Sequence, residues 1–363
     1  MEKRSMGKYP LVSVLIPNYN YGKYLENCLD SVLNQTYPNI EVLFRDNDSS
    51  DNSYDIAMSY REKFKKKGYF YDVSKNRSNI GSFFNADRIL KFASGRFFHN
   101  LGSDDVIKPA FIETCINVFL RYPNVGTVIV HREDIDEAGN KRTDPPFYNK
   151  SCIVDGKKQA AVYMMAGIGV PTQCMYDKSK MTPDVYKYWK RYSVAGDWFY
   201  NFLFSICGDV AYIKKPLCQY RTHLGNETSA SELNLLGTFE HYMLINDFVV
   251  LGEIFKIKEV VNRKDAAIEK LGSMCMRYAI KMFHNNLHDI AAKYLHLAPI
   301  YKPDITKEKI YRELQNCLNL QGQELVEQIK KIESTYATHR TISYDPPKGS
   351  QEIQLKKIQK KNS

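Results

Sequence analysis

Between residues 11 and 130, short apolar runs of strand length alternate with stretches of helical spacing, and several of the runs end directly on polar clusters. Leu11–Ile16, closed by Pro17, has the pattern of a buried strand. Tyr24, Leu25, Cys28, Leu29, Val32 and Leu33 follow at helical spacing until Tyr37-Pro38 stops them. Ile40–Phe44 predicts a second strand, and Asp46-Asn-Asp-Ser-Ser-Asp51 a turn whose side chains cap a helix from Asn52. Tyr69–Val73 predicts a third strand, Ser82–Phe92 a helix stopped by Gly95, and Arg96–Leu101 a fourth strand running straight into Gly102-Ser-Asp-Asp105. A helix over Pro109–Arg121 and a strand over Val125–Val130 complete the series. This order predicts an α/β fold, a mostly parallel doubly wound sheet with helices on both faces. Ligands of such sheets bind beyond the carboxyl ends of the strands. The clusters Pro17–Tyr21, Asp46–Asp51 and Ser103–Asp105 are therefore expected to converge on one crevice.

The remainder is less regular. Residues 132–157, with Asp144-Pro-Pro146, have loop character. A mixed region to about residue 228 holds a helix around Gly196–Cys207 and strands near Val210–Ile213 and Leu217–Tyr220. From Ser231 to about Tyr336 the spacing is helical throughout, with a break expected at Pro299 and Pro303 and no fixed-period repeat. After Pro346-Pro347 the chain is basic, with Lys348, Lys356, Lys357, Lys360 and Lys361 against Glu352, and is expected to be a solvated tail.

Composition excludes several classes. The 44% hydrophobic and 25% charged content is that of a globular chain rather than a disordered one. No apolar run approaches the ~20 residues of a membrane span, and the apolar stretch near Leu11 is too short for a signal-peptide core. Eight cysteines without a Cys-x-x-Cys pair argue for reduced thiols rather than a zinc ribbon or a disulfide scaffold. A cytoplasmic protein is expected. The net charge of +10, from 51 Lys and Arg against 41 Asp and Glu, suits phosphate-bearing ligands or an anionic membrane surface.

The sharpest chemical feature is Ser103-Asp104-Asp105. Two adjacent carboxylates at a strand end repel each other unless a cation sits beside them, and Mg²⁺ or Mn²⁺ held there would complete its shell with substrate phosphate oxygens. Capping of the following helix explains the same residues. Asp46 is either a turn residue or a hydrogen-bonding partner of a nucleobase or ribose, and Tyr19, after Pro17-Asn18, is placed to stack on that base. Asn76, Arg77, Asn79 and Gly81 form a polar loop that walls the same space or simply turns the chain. Asp197, in Ala195-Gly-Asp-Trp198, is either a helix cap or a half-buried carboxylate of raised pKa suited to general-base work on an alcohol. His223, in Tyr220-Arg-Thr-His223, is a neutral metal ligand or an ordinary surface or core histidine.

In order and spacing these segments resemble the family 2 glycosyltransferases of the GT-A fold, over about residues 10–228. The motifs are Val12-Ser-Val-Leu-Ile-Pro-Asn-Tyr-Asn20, Ser31-Val-Leu-Asn-Gln-Thr-Tyr-Pro-Asn-Ile-Glu-Val42, Asp46-Asn-Asp-Ser-Ser-Asp51, Asn79-Ile-Gly81 leading to Gly95 and Leu101-Gly-Ser-Asp-Asp105, and Gly196-Asp197 with Tyr220-Arg-Thr-His223. The resemblance implies inverting transfer of a sugar from a nucleotide-diphosphate donor, UDP-linked, to a saccharide or lipid-linked saccharide in surface polysaccharide or glycan synthesis. It places the donor against Pro17, Asn18, Tyr19, Asp46, Asn79, Ser103, Asp104 and Asp105. It places Mn²⁺ or Mg²⁺ on Asp104 and His223, and the acceptor-side base on Asp197. Two departures stand out: Gly102 replaces the first Asp of the Asp-x-Asp motif, and Asn47 and Asp48 replace the usual Asp and Gly of the second turn. The Gln-x-x-Arg-Trp signature of processive relatives is absent, which favours addition of a single sugar.

The competing readings lack their motifs. A nucleotidyltransferase would want a Gly-rich basic loop after the first strand, where Asn18-Tyr-Asn-Tyr21 stands. Gly167-Ile-Gly169 lacks the third glycine of a dinucleotide fingerprint, and there is no P-loop. His131-Arg-Glu133 lacks the Pro-Cys-x-x-Cys partner of a zinc deaminase. A non-catalytic sugar-binding protein on the same fold is the alternative. The expected organisation is a leader over 1–9, a GT-A domain over 10–228 (donor half 10–105, acceptor half 106–228), a helical region over 229–336 offering an oligomer interface, and a basic tail over 337–363. Peripheral contact of the basic tail with the inner face of a membrane is the alternative to a solvated tail, and nucleic acid is not an expected partner.

Overall fold

The protein is described by a computed structural model that covers residues 9–189, 192–223, 225, 227–336 and 341–353. The strands are β1 (Val12–Asn18), β2 (Ile40–Asp46), β3 (Phe70–Lys75), β4 (Phe97–Asn100), β5 (Val106–Ile107), β6 (Val125–Ile135), β7 (Lys141–Arg142), β8 (Cys152–Val154), β9 (Cys174–Asp177), β10 (Asp209–Arg221) and β11 (Gln351–Glu352). Among the described residues they form one sheet in the order β11-β8-β10-β6-β9-β4-β1-β2-β3, with β5 on β10 and β7 on β6. Strands β1 to β4 are parallel, with Asn18 opposite Asp46 and Asp46 opposite Lys75. The short strand β9 is antiparallel to both β4 and β6, so β6 again runs with β1, and β10 runs parallel to β6. The carboxyl ends of β1, β2, β4 and β10 therefore share one end of the sheet. That topology brings residues 18–20, 46–51, 101–105 and 222–223 together.

Alternation along the strands separates two faces. Val12, Val14 and Ile16 pack with Leu25, Cys28, Leu29 and Val32 of the helix Gly22–Leu33 and with the helix Phe111–Arg121. Leu15, Leu43, Phe98 and Tyr176 face the other way, toward Ile89 of Ser82–Leu90 and Phe204 of Gly196–Cys207. Gly95 is required where the chain enters β4: a Cβ there would lie 2.6 Å from Ser13 Oγ and 2.9 Å from the Leu11 carbonyl. The buried Glu41 carboxylate accepts from the same strand entry, from Ser13 Oγ at 2.5 Å and from the amides of Ser94 and Gly95 at 2.6 and 3.0 Å.

Several expectations change. Strand β6 continues to Ile135, and the loop expected over 132–157 also contains β7 and β8. The strands expected at 210–213 and 217–220 are one strand, β10, with register shifts around Pro216, which has no N–H to give the ladder. Pro299 lies inside the helix His288–Tyr301 instead of breaking it. Proline withholds the N–H owed to the carbonyl four residues earlier, and here the Tyr311 hydroxyl donates to that carbonyl, Leu295 O, at 3.1 Å.

The helical region does not form a core of its own. Phe248 of the helix Leu236–Ile254 stacks on Phe202 at 3.8 Å between ring centroids, inside a cluster that also holds Tyr163 and Phe199. Part of the expected tail also belongs to the fold. Tyr344 bridges to Tyr148, β11 pairs with β8, and Ile353 is buried. Lys356, Lys357, Lys360 and Lys361 lie outside the described residues, as do residues 1–8 of the expected leader. Among the described residues no helix is long and apolar enough to cross a membrane.

Candidate active site

The first strand tip is a closed polar knot. Asp46 is fully buried at the end of β2. Its Oδ2 accepts from Asn18 Nδ2 at 3.0 Å and from Ser49 Oγ at 2.6 Å, while Oδ1 accepts from the Ser49 amide at 2.8 Å. The Asp46 carboxylate thus shapes the turn, with Lys75 Nζ 3.9 Å from Oδ1. Asn47 extends the knot: its Oδ1 accepts from Asn76 Nδ2 at 2.9 Å and from the Ile80 amide at 3.0 Å, and its Nδ2 donates to Asn79 Oδ1 at 2.7 Å. Asn76 Nδ2 also donates to Asn85 Oδ1 at 2.9 Å, which ties the loop to the helix Ser82–Leu90. An aspartate at 47 could not donate to Asn79, so the departure from the family pattern serves this network. Above the knot Tyr19 is 45% exposed, with its ring free to receive a flat ligand. Pro17 is half-buried at the end of β1. The Asn18 Oδ1 is buried without a partner.

The second tip follows β4. Ser103 is buried and its Oγ has no partner, while Asp105 is buried with both oxygens engaged. Asp105 Oδ1 accepts from the Arg221 amide at 2.7 Å, and Oδ2 accepts from the Thr172 hydroxyl. Burial, and then the neighbouring Asp104 charge, push the Asp105 carboxyl well above the usual carboxylate range. Asp104 is held differently. Its carbonyl accepts from Arg221 Nε at 2.9 Å, leaving the carboxylate for His223, whose Nε2 lies 3.2 Å from Asp104 Oδ2. Arg221 stacks on Tyr24 at 4.7 Å, and the His223 ring packs between Tyr21 and Tyr24 at 5.3 and 5.1 Å. The end of β10 is thus pinned to the Gly102–Asp105 turn, which delivers the imidazole to Asp104. Gly102 fits this crowding, since a Cβ there would lie 2.8 Å from Asp105 Oδ2 and 3.0 Å from Asp104 Oδ1.

These residues fit a divalent cation that is completed by substrate. A carboxylate and an imidazole, both donor types that Mn²⁺ accepts, lie side by side at Asp104 and His223. Among the described residues no group of three or more His, Cys, Asp or Glu side chains could hold a metal by itself. Hard cations that bind through one or two protein groups take their remaining ligands from phosphate and water.

Asp197 lies in the first turn of Gly196–Cys207. That helix ends beside the start of β6, where the Asp209 amide donates to Asn124 O at 2.9 Å, so its N-terminus points to the carboxyl end of the sheet. Burial pushes the Asp197 carboxyl up to about 6, opposed by the Trp198 N–H that donates to Oδ1 at 2.7 Å and by the charge of Arg132. The same Arg132 charge acts on Asp105. One guanidinium, paired with Asp134 at 2.8 Å and lying 4.6 Å over the Tyr220 ring, thus sits within electrostatic reach of both carboxylates. Nothing local in the sequence marks Arg132 or Thr172, because each acts through a contact that the fold makes, whereas Ser49 and Arg221 stand inside the Asp46–Asp51 and Tyr220–His223 motifs without a role of their own there.

Residues 13–179 match the model of Glycosyl transferase family 2. This chain carries a family 2 glycosyltransferase domain. Over 241 residues the glycosyltransferase is 26% identical to an uncharacterised glycosyltransferase of Haemophilus influenzae, covering 62% of this chain and 69% of that one. It is 30% identical over 140 residues to a chondroitin synthase of Escherichia coli, covering 39% of this chain but only 20% of the synthase. In structure it is similar to TarS 1-349 of S. aureus in complex with UDP-GlcNAc, with a TM-score of 0.53 and 16% identity over 90% of this chain and 91% of that one. The likeness establishes the GT-A architecture, including the helical region after the sheet.

Proposed function

We propose that the enzyme moves one sugar from a UDP-linked donor to a hydroxyl of a saccharide or lipid-linked saccharide, with inversion at the sugar carbon. The observation that supports the reading is the Asp104–His223 pair at the carboxyl end of the sheet, together with a half-buried Asp197 whose carboxyl feels the same Arg132 charge as Asp105. The UDP-GlcNAc complex of TarS supports the choice of nucleotide, and the chondroitin synthase relative supports a polysaccharide product.

In this reading Tyr19 stacks on the base, while Asn18 and Ser103 offer buried polar atoms to the donor. Asp46, Asn79 and Asp105 act by holding the turns that surround it. Asp104 and His223 would hold a divalent cation, which would supply positive charge against the diphosphate. Asp197 takes the proton of the acceptor hydroxyl as its oxygen bonds to the sugar carbon, and the bond from that carbon to the diphosphate oxygen breaks on the opposite face. A carboxylate near pKa 6 is mostly ionised at neutral pH yet more basic than an exposed one, which suits this step. The net charge of +10 supports peripheral contact with an anionic membrane surface from the cytoplasmic side. A thermal-shift panel of UDP-, GDP- and dTDP-sugars with and without Mn²⁺ tests donor and metal together. Stabilisation by UDP-sugars that requires Mn²⁺ is expected, and equal shifts in EDTA would overturn the metal assignment. The anomeric configuration of the product, read by NMR, tests inversion.

A further inference from the structure

The loop that delivers Asp197 cannot hold itself. Its helix begins after Ala195, a residue with no side chain to cap the free N–H groups of the first turn. The segment that leads into the helix is held from outside it: Glu240 on Leu236–Ile254 accepts from the amides of Ser193, Val194 and Ala195 at 2.7, 2.7 and 3.0 Å. Two turns further along the same face, Asp247 Oδ2 accepts from the Tyr192 hydroxyl at 2.5 Å. Glu240 is only 8% exposed. Three amide N–H groups satisfy both oxygens of this buried carboxylate, and an acidic side chain suits the start of a helix.

We infer that Glu240 is a positioning residue for transfer: it clamps residues 193–195 and so sets where the Asp197 carboxylate meets the acceptor hydroxyl. The inference rests on the reading of Asp197 as the base. It gives the helical region a direct part in the reaction geometry. Asp247, through Tyr192, is the second point of the same clamp. Glutamine at 240 keeps the size but turns one acceptor into a donor facing an N–H, so the loop loosens without a cavity.

The test compares Glu240→Gln, Glu240→Asp, Tyr192→Phe and Asp197→Asn in the full chain. Lys281→Gln serves as a control, breaking the Lys281–Glu232 pair elsewhere in the helical region. Each is assayed for Mn²⁺-supported hydrolysis of the best donor among UDP-, GDP- and dTDP-sugars, and for amide hydrogen exchange at 193–195. Misplacing a catalytic group by about 1 Å costs on the order of 10²-fold. Glu240→Gln is therefore expected to lower kcat about 10- to 100-fold with donor KM within about twofold of wild type, and to speed exchange at 193–195. Glu240→Asp should recover part of kcat, and Lys281→Gln all of it. Wild-type kcat in Glu240→Gln, with Asp197→Asn inactive, overturns the positioning role alone. Full activity in Asp197→Asn removes the base assignment and this inference with it. Should Glu240→Gln fail to fold, Glu240→Asp and Tyr192→Phe carry the comparison, and unchanged kcat in both overturns it.

Discussion

Replacing Asp197 by Asn should weaken the enzyme and strengthen the protein, and the two effects should separate with pH. In the folded chain the carboxyl is raised to about 6 by burial, against about 3.9 for an unstructured aspartate. A raised folded pKa means that the native state binds the proton more tightly than the unfolded chain. The stability this group contributes is full below about pH 4 and is lost as pH rises through about 6. Two units correspond to up to ~3 kcal/mol above neutrality. Asparagine keeps the volume and the oxygen that accepts from the Trp198 N–H, but never ionises. Asp197→Asn should thus unfold later than wild type in urea at pH 8, with the advantage shrinking as pH falls and vanishing below about pH 4. Activity should move the other way, falling by about 10²–10⁴-fold at neutral pH with the loss of a general base, and by less at acid pH where the wild-type carboxyl is itself protonated. In wild type, kcat/KM should rise with pH through about 6, so that roughly a tenth of the base is active at pH 5. The reasoning fails if the stability gap between Asp197→Asn and wild type is the same at pH 8 as at about pH 3.5, or if the variant turns over near the wild-type rate.

Removing Asp104 or His223 as alanine should abolish the Mn²⁺-dependent part of donor binding, seen as a thermal shift by UDP-sugar that no longer responds to the metal. Arg132→Gln deletes a charge that lowers the Asp197 pKa, so the rising limb of the pH–rate profile should move to higher pH while turnover falls. Gly95→Ala places a methyl 2.6 Å from Ser13 Oγ and 2.8 Å from its amide, and overpacking of this kind should cost about 1–3 kcal/mol in denaturant unfolding.

The parallel half of the sheet was legible in the sequence because its strands are buried on both faces and read as unbroken apolar runs. The polar clusters of the site were legible because they stand at strand ends, where only turns or ligands call for such residues. What escaped has one physical cause: it is made by pairing between distant segments. Strand β9 is short and follows Pro171, so nothing local marks the antiparallel insertion that restores the direction of β6. Pro299 was expected to break a helix, and only the Tyr311 hydroxyl, a tertiary partner, explains why it does not. The bonds that Asp46 accepts from Ser49 and Asn18 appear only once the turn is folded against β1. Glu240 lies in a stretch with no local motif, and its use appears only when the loop at 193–195 is folded against it.

The short strand β11 has a bearing on how the molecule behaves among its own copies. An open sheet margin offers a row of unsatisfied amides and carbonyls onto which another chain can zip. By laying residues 351–352 along β8, and by seating Ile353 beneath them, the chain occupies that margin with its own backbone. A protein cut back to the last helix would look intact at its catalytic crevice while presenting an adhesive border on the far side.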